Sequence, residues 1–510
     1  MSNRVCSPAI VLICVFLFAT KSVNAQNTTN SVDSTERLER TLEARAYLET
    51  ERESSATHVT QTPARSLGTY SADGGSPGHI IARSWRDNQH HLNPGRAVGW
   101  SSGPQVYFTF TRQECVGDPD VCPPWFNYMV FDPTFSATQG RFIPDTNGLP
   151  LQATPSVEGG FFSQLAVTSD GKVLIAGDAI DVAGGTPFLR RVKAYWDTAT
   201  PGTFGQVVDD TLPGDFTGGE PNFKYPRIEY QRYGDNYITH VVAINGPGAI
   251  PETRSAVYWR KVSGDYGPGG TWTSMLVDDS LASNCYSIAA AHDGSGKVAI
   301  AWVRYRDPSG INYWGSHLFV RQSSDAGATW GSIGNIVSST YNPDDWQPWI
   351  ECNALYDSDG YLHVVWNASK ERLINPAVIL HWTDRVSGPD AGGTTSLVHL
   401  ADFSSWNMCG VGQYNDQNVG KPVISECNGR LYTIWKQFGD PAAGDSLDCC
   451  DPSLLNYQGR GNADIFMSVS YTLDGSTWGA HLNLTNSKSP GCDTTAGNEC
   501  DHDHQATMSQ

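Results

Sequence analysis

From about residue 66 onward the chain alternates short apolar runs with clusters of Gly, Asp, Asn and Ser, and one phrase of this pattern recurs. Pro226-Arg227-Ile228, Pro348-Trp349-Ile350 and Pro422-Val423-Ile424 are copies of it, with Tyr286-Ser287-Ile288 a variant lacking the proline. Each copy leads into a turn and a second apolar run: Gly234-Asp235-Asn236 before YITHVVA, Gly294-Ser295-Gly296 before KVAIAWV, Asp359-Gly360 before YLHVVWN, and Asn428-Gly429 before RLYTIWK. Strand-like runs divided by such turns predict β-hairpins. Two earlier copies start at Arg96 (RAVGWSSGPQVYFTF) and Gln164 (QLAVTSDGKVLIAG). Six units at spacings of roughly 60 to 80 residues suit one four-stranded sheet each, with generous loops.

The pattern therefore predicts an all-β chain, a β-propeller of four-stranded blades over residues 66–510. HQATMSQ, residues 504–510, starts like a seventh unit. Seven blades with ring closure by both termini is the expectation, because N-terminal strands such as HIIARSW would complete the last blade and leave no open edge. Six blades is the alternative.

Upstream of residue 66 the pattern differs. Residues 26–65 are polar, with Asp33 and Glu36 placed like a capping box and Leu38, Leu42 and Leu48 forming an intermittent apolar stripe. This predicts a partly helical spacer. Residues 1–25 combine basic Arg4, an apolar run from Ala9 to Ala19 and the small-residue site Val23-Asn24-Ala25, as a cleavable secretory signal does. The expectation is a secreted, extracellular or periplasmic protein. No other run approaches the ~20 apolar residues of a membrane span, so membrane insertion is not expected.

Composition sharpens this picture. Fifty-one Gly, 29 Pro, 16 Trp and 21 Tyr with only 17% charged residues favour short strands and tight turns. The net charge of −19 repels nucleic acid and anionic membrane, so an acidic polysaccharide would need a local basic site. Ten of the twelve cysteines follow the signal, which in an oxidising compartment points to disulfides, with Cys115/Cys122 and Cys492/Cys500 as short-loop candidates.

The stretch Ser323-Ser324-Asp325-Ala326-Gly327-Ala328-Thr329-Trp330 follows an apolar strand and reads as a structural turn. Asp and Ser side chains accept bonds from turn amides, Gly takes the positive φ, and Trp covers apolar area between sheets. Looser copies run from Ser263 to Trp272 and from Asp474 to Trp478. On these residues the chain resembles the Asp-box (bacterial neuraminidase repeat) β-propellers of the sialidase-like superfamily. That resemblance implies the fold rather than the activity, since its members include glycan-active enzymes and non-catalytic receptor domains.

Sialidase-like enzymes hold a substrate carboxylate with three arginines, one in an Arg-Ile-Pro motif, and use Tyr with Glu as nucleophile plus an Asp acid/base. This chain has no Arg-Ile-Pro, and it offers Tyr286, Glu351 and Lys421 where further arginines are wanted. True sialidase activity is therefore not expected.

A propeller collects ligands where its innermost strands begin. The segments leading into those strands give Glu351, Asp345 and Glu229 as candidate acid and base, and Trp346 and Trp349 as a surface for sugar rings. Arg227 with Lys421 forms a candidate anion clamp, and Arg96, Tyr286 and His504 are further ligand candidates. Asp501-His502-Asp503-His504 shows only two imidazoles, so neither a metal nor a cofactor is expected. The function expected is recognition of glycan at the central funnel, with or without cleavage. The alternative is a non-catalytic propeller for adhesion, surface assembly or binding of cell-surface proteins.

Overall fold

The computed structural model describes residues 95–100, 103–113, 124–134, 141–143, 149–151, 158–181, 190–197, 206–208, 223–245, 254–267, 269–304, 317–337, 346–370, 377–386, 392–401, 419–438, 463–485 and 507–509. These residues form antiparallel sheets, and no helix occurs among them. The leader, the polar spacer and HIIARSW lie outside the described residues, as do the cysteine pairs at 115/122 and 492/500. Cys352 and Cys427 are thiols.

Six blades follow one another in chain order. Blade 1 holds β1 (Val98–Trp100), β2 (Val106–Arg112), β3 (Trp125–Asp132) and β4 (Arg141–Ile143), with β5 (Leu149–Pro150) also pairing β3. Blade 2 is β6 (Glu158–Val167), β7 (Val173–Asp181), β8 (Arg190–Trp196) and β9 (Gln206–Val208). Blade 3 is β10 (Phe223–Tyr233), β11 (Asn236–Asn245), β12 (Arg254–Ser263) and the first half of β13 (Thr271–Ala290). The second half of β13 is the inner strand of blade 4, followed by β14 (Val298–Arg304), β15 (His317–Ser323) and β16 (Gly334–Val337). Blade 5 is β17 (Gln347–Tyr356), β18 (Leu362–Ser369), β19 (Ala377–Thr383) and β20 (Thr394–Ala401). Blade 6 is β21 (Val419–Cys427), β22 (Arg430–Gln437), β23 (Asp464–Ser470) and β24 (Leu482–Asn483).

The blades close into a ring, because one axial cavity is lined by inner-strand residues from all six: Arg96, Gln164, Arg227, Ser287, Asn353 and Val423. Apolar side chains fill the seams between blades. Trp196, Trp259, Trp302, Trp366, Trp382 and Trp435 are all fully buried. A buried large side chain contributes roughly 1.5–3 kcal/mol, so the tryptophan seams carry much of the stability.

Among the described residues the sheets make six blades, and the expected seventh is not among them. Residues 507–509 do not start a new sheet; they wedge between blade 6 and blade 1. The Ala97 amide donates to Thr507 Oγ1 (3.1 Å), the Trp100 amide donates to Ser509 Oγ (2.8 Å), and the Ser425 hydroxyl donates to the Ser509 carbonyl. Met508 joins Val423, Ile434 and Ile465 in the closing seam. An apolar residue framed by Thr and Ser reads as a strand in sequence, but here it serves as a plug.

A second correction concerns register. Asn353, not Trp349, occupies the place that Arg227 and Val423 hold in their blades, so Pro348-Trp349-Ile350 is displaced by four residues from the other copies of the phrase. Five inner strands carry a register shift near their start, at Phe161/Gln164, Lys224/Arg227, Leu281/Tyr286, Pro348/Cys352 and Gly420/Val423, and Pro348 precedes its shift where Arg227 and Val423 directly follow theirs. In blades 2, 3 and 6 the shift places Phe162, Tyr225 and Lys421 at φ of 56°, 56° and 54°, the left-handed region that non-glycine residues seldom occupy.

The Ser323–Trp330 stretch is a tight turn joining β15 to β16. The Ser323 hydroxyl donates to Asp325 Oδ1 (2.8 Å), and Asp325 accepts from both the Thr329 amide (2.8 Å) and its hydroxyl (2.6 Å). Gly327 has φ +76°, and a Cβ there would lie 1.9 Å from Tyr258 Oη on blade 3. Trp330 meets Tyr258 edge-on at 4.9 Å. The turn thus seals the blade 3–blade 4 seam.

Beneath it His240 is fully buried, with Nδ1 2.7 Å from Tyr258 Oη. Burial, with Arg260 and His292 adding to it, pushes the His240 imidazole down to about 3. A histidine that stays neutral when folded but takes a proton when unfolded removes stability as pH falls below its unfolded value of about 6.5. Thermal unfolding across pH 7 to about 4 will therefore show a steeper loss of Tm in the native chain than in His240→Gln, and parallel curves would contradict this. For the closing seam, Met508→Ala is expected to cost about 2 kcal/mol in chemical denaturation, and an unchanged midpoint would show that the plug carries no load.

Candidate functional site

The inner strands begin at one end of the ring, and their first residues form its mouth. Five of them bring side chains with chemistry to the axis or beside it. Arg96, just before β1, reaches across the axis from blade 1 to blade 3, where its Nη2 donates to Glu229 Oε1 at 2.5 Å. Glu229 is completely buried, whereas the Arg96 side chain keeps 15% exposure. This is an ion pair removed from bulk water, in which the cation offsets the cost of burying the anion. Arg227 lies on the same strand two residues earlier, lines the axial cavity, and donates from Nη1 to the Pro226 carbonyl (3.3 Å).

Glu351 sits at the start of β17 and is buried. Its Oε2 accepts from Asn367 Nδ2 (2.8 Å) and from the Lys421 amide (2.5 Å), so it braces the positive-φ bend of blade 6 from blade 5. Gly420 allows this approach, since a Cβ there would lie 2.8 Å from the same oxygen. Lys421 is itself buried. Tyr286 is fully buried, and its hydroxyl donates to the Tyr225 carbonyl (2.5 Å), which ties blade 4 to blade 3.

Trp346 and Trp349 are half-buried and pack against the seam between blades 4 and 5, and Lys370 stands 5.2 Å above the Trp346 ring. Asp345 and His504 lie outside the described residues. The structure thus joins Arg96 with Glu229 and Glu351 with the Lys421 backbone, and it places Arg227 beside the axis. Among the described residues no group of three or more His, Cys, Asp or Glu side chains is placed to hold a metal.

Two mouth residues escape a search confined to the loops before inner strands. Asn367 and Lys436 lie near the ends of second strands, each directly after a buried tryptophan, Trp366 and Trp435. Lys436 is 1% exposed, pairs in register with Gly420, and sits 5.0 Å from the Phe438 ring. The signal was present in the sequence: a polar residue following the tryptophan of an otherwise apolar second strand.

No family model and no curated protein matches the chain. Among solved structures it is similar to a Dyadobacter fermentans protein of unknown function, at 14% identity and TM-score 0.41, over 68% of this chain and 93% of that one. It is also similar to Trypanosoma rangeli sialidase in complex with the inhibitor DANA, at 12% identity and TM-score 0.34, over 56% of this chain and 44% of that one. A third is NanB sialidase from Streptococcus pneumoniae, at 10% identity and TM-score 0.39, over 70% of this chain and 67% of that one. The chain thus spans about half the length of the trypanosomal sialidase. At these scores the six-bladed ring rests on its own strand pairing.

The Arg96–Glu229 contact gives a direct test. Arg96→Met leaves a buried carboxylate without its cation and is expected to lower stability by about 3 kcal/mol. The double variant Arg96→Met/Glu229→Gln should recover most of that loss. A double variant as unstable as the single one would show that the two side chains do not act as a pair.

Proposed function

We propose that the protein acts outside the cell as a glycan-binding propeller, taking an acidic sugar at the mouth of its ring. The observation that carries this reading is the balance of charge at the mouth of a chain whose net charge is −19. Arg96, Arg227, Lys224, Lys421 and Lys436 lie near the starts of inner strands or opposite them, with Glu229, Glu351 and, at the place in blade 2 that Lys436 holds in blade 6, Asp178, five cations to three carboxylates among these described side chains. Such a local excess attracts carboxylate- or sulfate-bearing sugars that the rest of the surface repels, and a guanidinium offers them paired donors. Trp346 and Trp349 supply flat apolar faces beside it for sugar rings.

Binding is favoured over cleavage by what the two carboxylates already do. Glu229 is neutralised by Arg96, and Glu351 accepts two internal N–H groups, so neither is set up as a proton donor at rest. The hydrolytic reading keeps Glu351 and Asp345 as its pair. The reading without sugar makes the same mouth a docking site for a cell-surface protein.

Incubation with a panel of neutral and acidic polysaccharides separates the three. Acidic chains are expected to bind, more weakly as salt rises, and Arg227→Ala and Lys421→Ala are each expected to weaken binding about tenfold. Release of reducing ends that Glu351→Gln abolishes would establish the hydrolytic reading instead. Neither binding nor release would remove both glycan readings.

A further inference from the structure

At the opposite end of the ring from the mouth, the seam between blades 5 and 6 contains a chain of buried titratable side chains. Asp357, at the β17–β18 turn, has Oδ2 3.0 Å from His363 Nε2. His363 Nδ1 is 2.9 Å from His381 Nε2, and His381 Nδ1 is 3.2 Å from Ser396 Oγ. The Ser396 hydroxyl donates to the Gly475 carbonyl on blade 6 (2.5 Å) and accepts from Trp478 Nε1 (3.3 Å). Both imidazoles are fully buried and stacked, 5.2 Å between centroids. Gly475, at φ +60°, lies flat on the His381 ring, where a Cβ would come within 2.2 Å.

Counting protons along this chain gives an unequal result. Each hydroxyl has one hydrogen and each neutral imidazole has one N–H. If Ser396 donates to Gly475, His381 Nδ1 must donate to Ser396. Its Nε2 then accepts from His363 Nδ1, and His363 Nε2 must also donate, to the Asp357 carboxylate. We propose that the His363–His381 pair carries one proton beyond two neutral rings, and that this proton clasps the blade 6 turn onto blade 5. Without it Ser396 turns toward His381, and the Gly475 carbonyl loses its donor.

The surroundings favour the extra charge. Asp357 and Asp359 face the pair from the β17–β18 turn, Asp384 and Arg385 from the turn after β19, Asp474 from the turn after β23, and Asp293 and Lys297 from the neighbouring hairpin of blade 4. Glu426 of blade 6 accepts from Ser358 beside them. Six carboxylates thus stand against two cations. Burial pushes the Asp384 carboxyl above the usual range, which makes it the weakest of the six charges. Asp357 stays below the usual range despite burial, because His363, the Tyr361 amide and Arg385 all donate to it. Burial pushes His381 well down, in keeping with its neutral state in this count. The clasp is complete below the pH at which the pair gives up this proton and loosens above it.

The test uses the full chain labelled with 15N in its histidine rings and followed by NMR between about pH 6 and pH 9. One buried ring is expected to show both nitrogens protonated at about pH 7.5, with the signal assigned by its loss in His363→Gln. Ser396→Ala removes the acceptor that forces the extra proton, so it should lower the pH of proton loss by at least about one unit, a tenfold change. Two neutral rings at about pH 7.5 in the native chain, or a titration unmoved by Ser396→Ala, would overturn the proposal. Ser396→Ala stands on its own should His363→Gln fail to fold.

Discussion

Each blade has an innermost strand whose outer edge pairs within its own sheet and whose other edge faces the axis with no strand beside it. Unpaired backbone donors there must find acceptors or stay wet. The chain supplies acceptors from side chains of other blades. Gln164 Oε1 takes the Arg96 amide (2.7 Å), Ser287 Oγ takes the Ala354 amide (3.0 Å), and Asn353 Oδ1 takes the Ile424 amide (3.1 Å). Thr507 Oγ1 does the same for Ala97. These bonds join blades that are 67 to 71 residues apart in three cases and about the whole domain apart in the last. They tie the inner strands of blades 1, 2, 4, 5 and 6 to their neighbours, and Arg96, Glu351 and Lys421 lie on or beside strands held in this way.

Residues at the mouth are accordingly held by bonds from neighbouring blades. Arg96 crosses the axis because its backbone is held by Gln164, and Glu351 meets blade 6 because a bend at Lys421 turns an amide toward it. The two glutamates, costly to bury alone, are met by the Arg96 guanidinium and by two N–H donors respectively. Arg96 and Arg227 thus line the axial cavity of an acidic protein, and Trp346 and Trp349 pack on the seam between blades 4 and 5. The far end of the ring holds turns, close glycines and the buried histidine chain.

Much of the architecture was legible in the sequence because hairpins carry local signals. Asn428-Gly429 takes positive φ at both residues, 53° and 69°, and joins Cys427 to Arg430 in the two-residue turn that this dipeptide favours. The Ser323–Trp330 turn likewise spells its own hydrogen bonds. What local pattern could not show was ring closure and depth. Residues 507–509 set an apolar Met between Thr and Ser as a strand would, yet only their partners on blades 1 and 6 decide that they fill a gap rather than begin a sheet. Pro348-Trp349-Ile350 copies the phrase of other blades but sits four residues out of step, before or within the register shift at Pro348/Cys352, whereas Arg227 and Val423 come directly after theirs. What was legible of the axial cavity in residue type was Arg96 and Arg227, which line it. The pairing of Arg96 with Glu229 across it was not, as it joins side chains 133 residues apart.

The central claim is that one ring of six blades is closed by 507–509 lying against blade 1. A pair of cysteines at Ala97 and Thr507 tests it most directly, since the Ala97 amide donates to Thr507 Oγ1 at 3.1 Å and the two residues are therefore neighbours across the closing seam. Peptide mapping of the oxidised Ala97→Cys/Thr507→Cys protein is predicted to find the 97–507 cross-link, with Tm raised above that of the reduced form. A folded, oxidised protein in which positions 97 and 507 remain unlinked would contradict it.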